Sequence, residues 1–159
     1  MPLIEVEIGE FLRQKGLTLG AVESATGGLI SHRITNVPGS SDYYQGSVIT
    51  YSNEAKIQVV GVKEQTITKH GAVSASVARE MAEGGRKLLK VDLCLSDTGI
   101  AGPAGATPDK PVGLFYLGLA HTGGTQSRKH LFTGDRTQNK CDAASAALAW
   151  LKEYLTSLR

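Results

Sequence analysis

Cysteine, aromatic residues and charge imbalance are all scarce in this sequence. Its two cysteines, Cys94 and Cys141, are far apart and belong to no C-x-x-C pair, which argues against a thiolate zinc site or a dithiol redox motif. A disulfide between them stays open, and a reducing compartment is the simpler reading. The four histidines, His32, His70, His121 and His130, are scattered with no carboxylate pair at ligand spacing, so no metal is expected. Basic and acidic residues, 17 against 15, are spread evenly along the chain and leave no arm or stripe for nucleic acid. No apolar run is long enough to span a bilayer. The start, Met1-Pro2-Leu3-Ile4-Glu5-Val6-Glu7, is acidic where a signal peptide is basic, so a cytoplasmic protein without a membrane partner is expected.

Glycine, by contrast, is plentiful: 19 residues, gathered in a few loops of a chain that is 41% hydrophobic and 20% charged. That composition and a length of 159 residues suit one soluble domain spanning 1–159. Ile4, Ile8, Phe11 and Leu12 recur at helical spacing and predict a helix over 3–15 that stops at Gly16. Leu17 to Val22 reads as a buried strand, and Leu29, Ile30, Arg33 and Ile34 as a second helix beyond a glycine turn. Pro38-Gly39-Ser40-Ser41 is turn chemistry, and Gly46 to Tyr51 has the content of a strand. Asn53 is expected to cap a short helix carrying Lys56. Ser74 is expected to cap a longer one with Val77, Met81, Leu88 and Leu89 on one face. Val91 to Ser96 reads as a strand running into Thr98 to Gly105, where dense glycine and Pro103 preclude regular structure. Val112 to Ala120, a turn at Gly123-Gly124, and Ser127 to Phe132 form a hairpin. A last helix runs from about Arg136 to Leu158, with Ala143, Ala147, Trp150, Leu151 and Leu155 inward. The sum is one α/β domain whose mixed, partly antiparallel sheet is covered by helices.

Three loops combine glycines with hydroxyls or bases at the ends of predicted strands, the place where open α/β sheets bind ligands. In Ser24-Ala25-Thr26-Gly27-Gly28, Ser24 is a candidate nucleophile and Thr26 a candidate donor, with loop amides able to hold an anion or oxyanion. The same residues would serve equally as a plain helix cap. Tyr51 to Lys56 offers a lysine which, once desolvated, can take a serine proton; a lone helical lysine is more often a solvated charge. No histidine sits in a strand-end glycine loop, so a Ser-His-Asp arrangement has little support. Thr98 to Pro103, with Thr133-Gly134-Asp135-Arg136, gives an arginine that could fork onto a phosphate or pair with a surface acid. The spacing Gly99, Gly102, Gly105 is not the dinucleotide fingerprint, and no phosphate-loop lysine follows any glycine cluster. Hydrolysis without a cofactor fits this inventory.

Taken together these loops resemble the C-terminal domain of the competence/damage-inducible CinA family, which also occurs alone as nicotinamide mononucleotide deamidase. The resemblance rests on Glu23 to Gly28, Pro38 to Ser41, Gly46 to Lys56, His70 to Ser74, Thr98 to Pro103, Lys110 to Gly113 and Gly134 to Arg136. It implies a three-layer α/β/α domain, usually a homo-oligomer, that hydrolyses the carboxamide of nicotinamide mononucleotide to nicotinate mononucleotide and ammonia. By that likeness Ser24 matches the nucleophile, Lys56 the base and Tyr51 a companion that positions it, with Thr26 nearby. Substrate binding is expected at Gly27, Gly28, Asn53, Thr98, Gly99, Ala101, Gly102, Arg136 and Lys140. Two positions depart from the family pattern: Ala25 stands where Cys or Ser is common, and Lys140 where an arginine tends to follow. A binding or assembly module that keeps the fold without the chemistry is the alternative, since fold does not fix function.

Overall fold

The computed structural model describes residues 2–158. Helix α1 (Ile4–Lys15) precedes strand β1 (Leu19–Glu23). Helix α2 (Leu29–Thr35) and a 3-10 turn (Ser40–Asp42) then lead to β2 (Tyr44–Ile49). Helices α3 (Asn53–Val60), α4 (Glu64–His70) and α5 (Ala75–Leu89) follow. Then come β3 (Leu93–Gly99), β4 (Leu114–His121), β5 (Gly124–Leu131) and α6 (Arg136–Ser157). The strands form one sheet in the order β2-β1-β3-β4-β5. β1 runs parallel to both β2 and β3, whereas β4 is antiparallel to β3 and β5.

Side chains alternate across each strand, so the two faces of the sheet serve two cores. Leu19 and Ala21 of β1 join Ile8 and Leu12 of α1, Ile30 of α2 and Leu148, Leu151 and Leu155 of α6. Val22 points the other way, into Val77 and Met81 of α5 and Val60 of α3. A strand covered on both faces reads as a continuous apolar run, which is how β1 and β3 register in the sequence. The result is the three-layer α/β/α arrangement.

Four expectations change. Asn53 does not cap α3: Ser52 does, its Oγ accepting from Ala55 N–H at 3.0 Å, because its extended backbone turns the hydroxyl back over the first turn. Leu88 is 50% exposed, while Leu89 and Val91 reach Gly20 of β1 and cover the sheet there instead. β3 continues through Asp97 and Thr98 to Gly99, held by its register with β4, so part of the expected irregular loop is strand. Helix α4 was not expected; it has no fully buried residue and packs only Ile67 against the core.

Candidate active site

The carboxyl ends of β1, β2 and β3 lie side by side, since Glu23 pairs with Ile49 and Val22 with Ser96. From β1 the chain passes to β2 on one side and later returns to β3 on the other. That reversal opens a crevice at the strand ends. Ser24 follows β1 directly, and α3 begins just after β2, so the Ser52 cap sets Lys56 over the same crevice.

Lys56 is 2% exposed. Its Nζ lies 2.9 Å from Ser24 Oγ, 2.8 Å from the Thr50 carbonyl and 3.2 Å from the Tyr51 carbonyl. Burial lowers the Lys56 pKa from its ordinary value, and the charge of Asp97 opposes that shift. Carbonyls only accept, so Lys56 donates to Thr50 and Tyr51, and its third position meets the Ser24 hydroxyl, to which an ammonium donates and from which a neutral amine can accept. Tyr51 thus contacts Lys56 through its backbone. Its phenol oxygen accepts from Arg136 at 3.2 Å.

The turn after Ser24 is held from beneath by two fully buried carboxyl groups, Glu23 and Asp97. Glu23 accepts from the amides of Gly28, Ile30 and Ser31 at 3.1, 2.9 and 3.0 Å, filling the anion cradle at the start of α2 from within. Asp97 accepts from Ser24 N–H at 3.2 Å and Thr26 N–H at 3.0 Å. Burial, first among several causes, raises its pKa to about 6. The Thr26 hydroxyl sits between the two, 2.7 Å from Glu23 Oε1 and 2.5 Å from Asp97 Oδ2.

A cleft of about 270 Å³ brings together Ser24, Tyr51, Asn53, Lys56, Thr98, Gly99, Ala101 and Arg136 of the residues expected from sequence. Ala25, Ala72, Val73, Ile100, Ala104 and Gly105 complete its wall. Thr98 is fixed by donating to the Ala72 carbonyl at 2.8 Å, and buried Asn139 holds the Ala101 carbonyl at 3.0 Å. Gly102 supports the cleft from behind, its carbonyl accepting from Arg136 at 2.8 Å. Thr26, Gly27, Gly28 and Lys140 lie on the far side of the Ser24 turn, around a second hollow shared with His32, Thr137 and Cys141. The expected anion-holding amides are therefore engaged internally: Gly27 N–H donates to the Ser24 carbonyl and Gly28 N–H to Glu23. Glu23, present in the sequence only as part of the Glu23 to Gly28 motif, and Asp97 are not among the residues expected at the site. Their only signal is an acid at the end of each of two apolar strands, followed at once by a hydroxyl residue.

The CinA C-terminal domain signature matches residues 3–155. A CinA-like protein of Salinibacter ruber is 54% identical over 153 residues, which is 96% of this chain and 37% of that protein. A CinA-like protein of Geobacter sp. is 51% identical over 144 residues, 91% of this chain and 35% of that one. The chain thus spans little more than a third of these relatives' length. Among solved structures, competence damage-inducible protein A of Klebsiella pneumoniae superposes with a TM-score of 0.95 at 30% identity, covering 98% of this chain and 97% of that one. The competence/damage-inducible protein of Agrobacterium tumefaciens gives 0.89 at 32% identity, covering 99% and 98%. With a signature running almost end to end and relatives agreeing in both sequence and fold, the chain belongs to the CinA C-terminal domain family.

Proposed function

We propose that this chain is an amidohydrolase that converts the carboxamide of nicotinamide mononucleotide to the carboxylate, releasing ammonia. The observation that carries this reading is the 2.9 Å contact between Lys56 Nζ and Ser24 Oγ at the wall of a cleft with no histidine in its lining. Ser24 Oγ adds to the carboxamide carbon as its proton passes to Lys56. Lys56 returns that proton to the nitrogen, which leaves as ammonia, and water then hydrolyses the ester to free the acid and Ser24. Ala25 N–H, next after the nucleophile, has no partner among the described residues and is available to the oxyanion, with Gly99 on the same wall. Thr26 no longer suits that role, because its amide and hydroxyl are engaged by the buried carboxyls. Arg136, at the cleft rim, is the group suited to the phosphate.

The test is ammonia release from nicotinamide mononucleotide, its riboside and free nicotinamide. Turnover is expected with the mononucleotide and much less with the other two. Binding of the mononucleotide without any ammonia release would instead favour a non-catalytic binding module.

A further inference from the structure

One hydroxyl group has one proton to give, yet Thr26 Oγ1 lies within 2.7 Å of Glu23 Oε1 and 2.5 Å of Asp97 Oδ2. Both carboxyl groups and the threonine are sealed from solvent. If both acids were ionised, one of these contacts would set lone pair against lone pair in a dry site, so the geometry asks for a second proton. Glu23 is already supplied with donors, three backbone amides and the Ser31 hydroxyl. Asp97 receives only two amide bonds and is the acid left to hold the proton.

We propose that Asp97 is a positioning residue that shares a proton with the Thr26–Glu23 pair, its protonated form donating from Oδ2 to Thr26 Oγ1 while Thr26 donates to Glu23. The extra proton comes from solvent, and no bond to carbon is made or broken. The chain does two things for the neighbouring serine and lysine. It pins the amides of Ser24 and Thr26, fixing the turn that presents the Ser24 hydroxyl. Until that proton is lost, it also spares Lys56 a full negative charge that would hold its ammonium form.

The ionisable groups facing Asp97 are Glu23 from β1 and Lys56 from α3. On α6, packed against the same sheet face, Lys140 reaches the far side of the turn at Gly27 and Arg136 stands across the cleft. Neither matches the proximity of the Glu23–Thr26 pair. Burial raises the Asp97 pKa to about 6, the direction the hydrogen-bond count requires.

The inference rests on the amidohydrolase reading for its catalytic consequence, but its proton is measurable without turnover. In the wild-type protein labelled with ¹³C at aspartate, the Asp97 carboxyl signal, assigned through its own backbone, should titrate near pH 6. Titration in the range of an ordinary aspartate overturns the shared proton. Asp97→Asn, a permanently neutral stand-in, should slow ammonia release roughly fivefold through the lost acceptor for Ser24 N–H. It should also move the acid limb of kcat/KM to lower pH, since no carboxylate remains to stabilise the Lys56 ammonium. An unmoved limb overturns the link to Lys56. If the wild-type protein releases no ammonia while the Asp97 signal titrates near pH 6, the functional reading fails and the proton assignment stands. Should Asp97→Asn not fold, the wild-type titration decides alone.

Discussion

At the residue scale, the division of labour around Lys56 yields separable outcomes. A positioned base contributes on the order of 10²–10⁴ in rate, so Ser24→Ala and Lys56→Met should each cut ammonia release at least about 100-fold while circular dichroism stays unchanged. Near wild-type turnover in either would remove the dyad. Tyr51 meets Lys56 only through its carbonyl, whereas its phenol meets Arg136. Tyr51→Phe should therefore leave the acid limb of the rate profile in place and act mainly on KM. Arg136→Ala removes a charge-assisted contact, so KM for the mononucleotide should rise roughly tenfold or more with little change for the riboside. Lys140 faces the other hollow, and Lys140→Ala should alter neither. If Lys140→Ala costs more than Arg136→Ala, the phosphate lies on the α2 side of the turn.

At the element scale, the position of the base depends on how closely α3 approaches α5. A Cβ on Gly84 of α5 would fall 1.8 Å from the Val60 carbonyl oxygen at the end of α3, too near for any side chain. Gly84→Ala must push α3 away, and overpacking of this kind costs about 1–3 kcal/mol. That is roughly 2–12 °C in Tm for a domain of this size. Because α3 carries Lys56, activity measured well below the new Tm should fall as well. A variant that loses stability but keeps full kcat would uncouple this packing from the site. Such an approach between helices was invisible in the sequence, where Gly84-Gly85 merely weakens a helical pattern. The strands and long helices were legible because Leu19 to Val22, Leu93 to Leu95 and the α6 alanines are dictated by burial. α4 was not, since a short helix resting on one apolar contact leaves no periodic trace.

At the scale of the whole molecule, a serine and a lysine 32 positions apart meet because three parallel strands end at one level. The sequence could propose each loop but not the carboxyl groups beneath them, because pairing of β1 with β3 alone brings Glu23 near Asp97, 74 positions away. That arrangement has a measurable cost. Asp97 is held in the folded protein at a pKa of about 6 against an ordinary 3.8, so the folded state binds its proton more tightly than the unfolded chain does. Below about pH 4 the group is protonated in both states and its contribution is fully present. As pH rises toward 6 the unfolded chain ionises first, and stability falls by on the order of 3 kcal/mol at about 1.4 kcal/mol per pH unit. Every other acid titrates too, so the informative quantity is the difference between wild type and Asp97→Asn in urea unfolding from pH 4 to 7. The wild type should lose ground to the variant across that window and then level off. If it gains ground instead, Asp97 is stabilised as a carboxylate by its amide donors, and the buried pair would act as an ionic support for the Ser24 turn.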